Sequence, residues 1–169
     1  MNRLIAINHV ANELEGSTVT HDPEGTRYGV VQSEYNAARQ AWRVPSQDIS
    51  LITYQEASDI LTDNYWIHCF CYQLNHPVDF AVFQLVVNRG NYGGGEIVHA
   101  ALNDPNLAND TPPMGPRVVA SINSRDPLAI TTAILQAQKA HYLSNGNQDS
   151  KGEVNRVILT AQICGVTIS

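Results

Sequence analysis

Charge is scarce in this chain. Only 15% of its 169 residues are Asp, Glu, Lys or Arg, against the ~25% of an ordinary soluble domain. Fifteen Asn and ten Gln nearly match the 26 charged residues, so amides must carry much of the surface. Positive charge is scarcer still: ten basic against sixteen acidic residues give a formal charge of −6. That balance argues against a broad electrostatic grip on nucleic acid or on an anionic membrane, and no nucleic-acid partner is expected. Cysteine is sparse and odd in number, at Cys69, Cys71 and Cys164, whereas a secreted disulfide scaffold shows an even and denser set. No apolar run approaches the roughly 18–20 residues that span a bilayer, so no membrane insertion is expected. The opening Met1–Val10 has one basic residue and a short apolar run broken by Asn8 and His9, unlike a signal peptide. The expectation is synthesis in a reducing cytoplasm, with some other route of delivery if the target lies outside. P-loop, G-x-S-x-G and H-E-x-x-H motifs are absent.

What is present is core. A hydrophobic fraction of 43% with 7% aromatics in 18.5 kDa fits one globular domain over residues 1–169, with 103–169 as a weakly separate C-terminal helical lobe. Leu4, Ile7, Val10 or Ala11, and Leu14 recur at three- and four-residue spacing, predicting an amphipathic helix over 4–14 that ends near Glu15-Gly16. Two β-rich stretches, Ser17–His21 and Thr26–Val31, flank the turn sequence Asp22-Pro23-Glu24-Gly25 and read as a small hairpin or ordered loop. Helices are expected at about 32–42 and 54–68, the second opened by the capping box Thr53-Tyr-Gln-Glu56. Residues 78–88 are apolar on nearly every face. Although Val and Phe also favour strands, Pro77 at a plausible first helical position predicts a central buried helix. Gly93-Gly94-Gly95 reads as a flexible joint before a short helix at 96–102, and 103–116, with four prolines, as a long loop. Asp126-Pro127 opens a helix to about 143, and a last helix runs from Glu153. The fold class is mainly α, with a small hairpin or loop after the first helix.

The chemistry concentrates in Glu15–Gly29. One carboxylate ends an apolar helix, a turn carries Asp22 and Glu24, and Thr26 follows. Glycoside hydrolysis needs a protonated acid at the leaving oxygen and a second group on the opposite face. Glu15 suits the acid, since apolar surroundings favour a protonated carboxyl, while Asp22 or Glu24 in a polar turn suits the ionised partner. The same pattern is also ordinary surface material. Thr26 could position water or substrate, or simply start a strand. Tyr28, Gln84 and Asn88 are candidates to line a saccharide cleft. Gln84 and Asn88 lie four apart, on one face of the central helix, so a satisfied structural network is the competing reading, because buried amides must be bonded. His68, Cys69, Cys71 and His76 lack zinc-site spacing, and core cysteines are the expectation. Trp42 and Trp66 are read as core aromatics.

Glu15-Gly16-Ser17, Asp22-Pro23-Glu24-Gly25 and Thr26-Arg27-Tyr28-Gly29-Val30 together resemble the glycoside hydrolase family 108 muramidases of bacteriophages. The family's signature is Glu-Gly-Gly, a short Asp-Pro-rich loop, then Thr-Asn-x-Gly-Ile. The resemblance continues through Leu51-Ile-Thr-Tyr-Gln-Glu56-Ala57, Tyr65-Trp66, Cys71-Tyr-Gln-Leu74 and Phe83-Gln84-Leu-Val-Val-Asn88-Arg-Gly90, and more loosely through Gly152-Glu-Val-Asn155-Arg156-Val157. Ser17, Arg27, Gln84 and Glu153 depart from the family's Gly, Asn, Asp and Trp, and the loop between Glu15 and Thr26 is a few residues short.

The resemblance implies a lysozyme-like fold and cleavage of the β-1,4 bond between N-acetylmuramic acid and N-acetylglucosamine, with Glu15 as general acid. The short loop leaves the second carboxylate open between Asp22 and Glu24. The implied partners are peptidoglycan glycan strands and, for a virion-associated enzyme, other virion proteins. No cofactor and no metal are implied. The implied setting is a host cytoplasm, with action on the cell wall after release or from a particle. A lytic transglycosylase using the same Glu, and a non-catalytic glycan-binding or structural virion protein, are the alternatives.

Overall fold

The computed structural model describes residues 1–20, 24–107, 114–144 and 150–169. The chain divides into two compact units, Asn2–Ile67 and His68–Ser169, the second including Met1.

In the N-terminal unit, helix α1 (Arg3–Asn8) is capped by Asn2, whose side chain accepts the Leu4 N–H at 2.9 Å, and runs on through wider π-type turns over His9–Leu14. Its buried face is Ala6, Ile7, Val10 and Ala11, while Leu4 is 59% exposed. The inward stripe is therefore shifted from the expected one at its first position. The hairpin is tighter than the sequence predicts. Strands β1 (Thr26–Arg27) and β2 (Val30–Val31) pair antiparallel within the second β-rich stretch, and Thr20 contributes only a bridge to Thr26. The turn residues Tyr28 (φ 56°) and Gly29 (φ 83°) are both left-handed, as a two-residue type I′ hairpin loop requires.

Helix α2 (Gln32–Ala41) buries Tyr35. Trp42 is 40% exposed, contrary to the core expectation, because it sits at the C-cap, where Arg43 turns the chain at φ 60°. Helix α3 (Tyr54–Leu61) continues through π-type turns over Thr62–Ile67 and packs on α1 and α2. Trp66 on this continuation is buried.

The capping box forms as read. Thr53 Oγ1 accepts the Glu56 N–H at 3.2 Å, and the Glu56 carboxylate accepts the Thr53 N–H at 2.9 Å. Glu56 also receives Tyr35 OH at 3.2 Å and Arg39 Nη1 at 2.9 Å. Burial pushes the Glu56 carboxyl up, but the bonds from Thr53 and Tyr35 and the Arg39 charge outweigh it and hold the group below its ordinary value. A carboxyl depressed in the fold stabilises above its unfolded value of about 4.3 and loses that contribution as pH falls through the folded value. Urea titrations between roughly pH 5 and pH 3 should therefore show the wild type losing more stability than Glu56→Gln, whose side chain does not titrate. Parallel losses would show that Glu56 contributes nothing to acid sensitivity.

In the C-terminal unit, α4 (Val78–Leu102) is two helical segments joined at Gly90, which is non-helical at φ 70°, ψ 164°. Pro77 stands at the cap, one position earlier than expected. Gly93–Gly95 lie inside the second segment and are not a joint. The break is at Gly90, and Gly94 is needed for close approach, since a Cβ there would lie 2.8 Å from Val86 Cγ1 and 3.1 Å from its Cα.

The expected loop over 103–116 contains a short 3-10 turn, Pro105–Leu107, and its last residue, Pro116, begins a helix the sequence reading lacks, α5 (Pro116–Asn123). Pro116 is its first residue, where a missing N–H is harmless. Helices α6 (Pro127–Ser144) and α7 (Ser150–Cys164) follow, with α6 packed on α4 and α7 on α6. The polar segment 145–149 lies outside the described residues.

Phe80, Phe83, Leu85, Ile134 and Leu135 are fully buried, each burial being worth ~1.5–3 kcal/mol of transfer free energy. Cys69, Cys71 and Cys164 are free and buried, as core cysteines should be. Burial pushes the Cys69 and Cys164 thiols up to about 12 and raises Cys71 as well. Among the described residues no helix is long and apolar enough to cross a membrane.

Candidate active site

Glu15 stands where α1 ends. Its N–H donates to Val10 O at 2.9 Å, five residues back, so the last turns are π-wide, a geometry frequent at functional positions. Gly16 (φ 80°) then takes the chain out of the helix. Its carbonyl accepts the N–H of Tyr28 at 3.1 Å, and the Ser17 carbonyl accepts Arg27 Nε at 2.8 Å. Arg27 also donates through Nη1 to the Ser50 carbonyl, and its guanidinium lies 5.1 Å from the Tyr28 ring centroid. The helix end that carries Glu15 is thus tied to the turn of the hairpin that carries Thr26 and Tyr28.

Thr26 lies on β1, and its carbonyl accepts the Thr20 N–H at 2.9 Å. Glu24 is exposed, and its carboxylate accepts the Ser33 hydroxyl at 2.6 Å. Asp22 falls outside the described residues. Tyr54, which the sequence reading did not single out, meets Tyr28 edge to face with centroids 5.9 Å apart and remains 37% exposed. Its position directly after a capping Thr gave it a place on a helix but no sign of that contact. A left-handed tyrosine is strained, and here the strain sets an aromatic side chain at the turn next to the Glu15 corner.

Gln84 and Asn88 belong to the C-terminal unit. Gln84 is buried, with Nε2 donating to Ala81 O at 3.0 Å and to Gln138 Oε1 at 2.8 Å. This is the structural network that the sequence left as the alternative to cleft lining. Gln138 Nε2 donates to Tyr142 OH at 3.1 Å, and Tyr142 OH donates to Asn88 Oδ1. Burial raises the Tyr142 hydroxyl above its ordinary value, so it stays protonated and available as a donor. Gln138 and Tyr142 were not read as site residues. Their four-residue spacing on α6 repeats that of Gln84 and Asn88 on α4, and this shared interval was the available signal. Among the described residues, no group of three His, Cys, Asp or Glu side chains is placed to hold a metal ion.

The fold is mainly α-helical and lysozyme-like, and it sets Glu15 at a helix end beside the two-stranded hairpin. Residues 9–90 match the family described as Glycosyl hydrolase 108, and the chain belongs to that family. The solved structure of Brucella abortus SagA is similar over 96% of this chain and 92% of its own, with a TM-score of 0.74 at 20% sequence identity, which establishes a common fold. No curated protein matches the chain.

Proposed function

We propose that the protein is an N-acetylmuramidase, hydrolysing the β-1,4 bond between N-acetylmuramic acid and N-acetylglucosamine in peptidoglycan. The observation that carries this reading is the corner at Glu15: a carboxylate at a π-wide helix end, bonded through Gly16 to the hairpin turn at Tyr28, all within the matched residues 9–90. Glu15 is the general acid, Asp22 or Glu24 the second carboxylate, and Thr26 a positioning group for water or sugar. The protein acts on the cell wall, after release from the cell that makes it or from a virion.

Digestion of purified sacculi, followed by mass spectrometry of the released fragments, tests this reading. Reducing N-acetylmuramic ends are expected. Anhydro ends would replace hydrolysis with transglycosylation, in which the substrate's own hydroxyl attacks. No fragments at all would leave a glycan-binding or structural protein on the same fold.

A further inference from the structure

We infer that a hollow between α4 and α6 of the C-terminal unit binds a short zwitterionic peptide, the stem peptide carried by the muramic acid of peptidoglycan. Arg89 takes its carboxylate and Glu96 its ammonium. The choice of peptide rests on the proposed function, while the hollow and its residues lie outside anything that function uses.

The hollow has a volume of about 460 Å³, within the range of small-ligand sites. Small residues line it from both sides: Gly93 and Ala100 on the second segment of α4, Ala137 and Ala140 on α6. None of the four has a side chain beyond Cβ to fill the space between the helices. Gly93, Ile97 and Ala100 follow at four- and three-residue intervals, which puts them on one helical face. Ile97, 5% exposed, supplies an apolar floor.

Two side chains of opposite charge line the same hollow. Arg89 stands just before the break of α4 at Gly90. Its side chain lies along Gly93, where an added Cβ would be 3.6 Å from Arg89 Cβ and 3.9 Å from Nε. Glu96 follows Gly93 by about one helical turn. Both are exposed, and among the described residues neither is engaged by an ion pair or a side-chain hydrogen bond, with the other or with a third group. His141 and Ser144 line the α6 side, where an imidazole and a hydroxyl suit the amides of a peptide.

That pattern selects among ligand classes. An anion would meet Arg89 but be repelled by Glu96, and a cation would meet the reverse. A neutral sugar would cover both charges without pairing either, which is unfavourable. A zwitterion with an apolar stretch between its charges pairs both and covers the floor, and its carboxylate matches the planar fork of an arginine. In the proposed substrate the N-acetylated glycan strand has no ammonium. The stem peptide has one on its diamino acid, a carboxylate at its C-terminus, and alanine methyls. A hold on the peptide is separate from the bond to be cut, so it adds to substrate affinity without entering the chemical step.

The test is binding of N-acetyl-Ala-γ-isoglutaminyl-Lys-Ala to the full chain by NMR titration or calorimetry. This soluble stem peptide carries one ammonium, on its lysine, and one carboxylate, at its C-terminus. Two capped forms are the comparisons, one with the lysine amine acetylated and one with the C-terminus amidated. The free peptide is expected to bind about three- to tenfold more tightly than either, the range for one charged contact in a partly solvated site. Glu96→Gln should abolish the preference over the acetylated form and keep that over the amide, and Arg89→Gln should do the opposite. Both side chains are exposed, so both variants should melt as the wild type does.

Loss of each preference in the matching variant alone supports the inference. No binding of the free peptide overturns it, as do equal affinities for the three peptides or preferences that survive both substitutions. Sacculus cleavage without peptide binding would leave the muramidase reading standing and this one refuted. Charge-matched peptide binding without cleavage would support the hollow as a stem-peptide site on a protein that does not hydrolyse.

Discussion

Glu15→Gln is expected to lower glycan cleavage by about 10²–10⁴-fold, the range for loss of a positioned general acid, while leaving the unfolding transition in place. The amide is the same size as the carboxyl but has no acidic proton to give the leaving oxygen. Two of the bonds that fix this corner are main-chain ones, from Glu15 N–H to Val10 O at 2.9 Å and from Tyr28 N–H to Gly16 O at 3.1 Å, and a glutamine at position 15 keeps both. Cleavage rates on sacculi and a thermal melt, measured on the same preparation, separate loss of chemistry from loss of fold. Undiminished cleavage by a folded Glu15→Gln protein would remove Glu15 from the mechanism and return the acid role to the acidic turn. Glu24→Gln is the companion measurement. Glu24 is exposed and engaged by the Ser33 hydroxyl, so a comparable drop there would identify it as the second carboxylate.

What the sequence made legible was local. The capping box at Thr53 and Glu56 formed as read because both partners lie within one turn and answer only to helix-start geometry. The end of the first helix at Glu15-Gly16 and the helix beginning at Pro127 follow from the same short-range rules. The departures came where a non-local contact or a subtle backbone choice decided. Periodicity places α1 but does not distinguish α from π turns, which differ by one residue in the reach of each hydrogen bond and so change the direction in which Glu15 leaves the helix. Prolines at 105 and 116 read as loop formers, yet Pro116 starts α5 because a first helical position suits proline as well as a loop does. Trp42 looked like core because its neighbours favour a helix, but a residue at a C-cap does not inherit the buried face of the helix it ends. Glu15 and the hairpin of the N-terminal unit were visible in the residue types, while the Tyr28–Tyr54 contact there and, in the C-terminal unit, the Gln138–Tyr142–Asn88 series were not. Both join residues far apart in sequence, 26 positions in the first and 54 between Asn88 and Tyr142.

The glycine run shows the same limit in a form that stability measurements can test. Read alone, Gly93-Gly94-Gly95 is a joint, and alanine at any of the three should then act alike. In the folded chain the run is helical, and α4 turns back at Gly90 so that Gly94 faces Val86, eight residues earlier. A Cβ on Gly94 would lie 2.8 Å from Val86 Cγ1, 3.1 Å from Cα and 3.3 Å from N. The last two are backbone atoms of a buried helix, so no side-chain rotation relieves them. A Cβ on Gly93 would meet Arg89 Cβ at 3.6 Å and Nε at 3.9 Å, which is ordinary contact with a long and adaptable side chain.

Alanine is favoured over glycine inside a helix by ~0.5–1 kcal/mol, so Gly93→Ala should stabilise by up to about that amount. Gly94→Ala gains the same propensity but forces the two segments of α4 apart, and overpacking of this kind destabilises by ~1–3 kcal/mol. The overpacking term is the larger, so the two neighbouring substitutions should shift the urea midpoint in opposite directions. Equal midpoints for the two variants would mean that the segments of α4 do not pack closely at Gly94, and that the run is the loose connection its composition suggests.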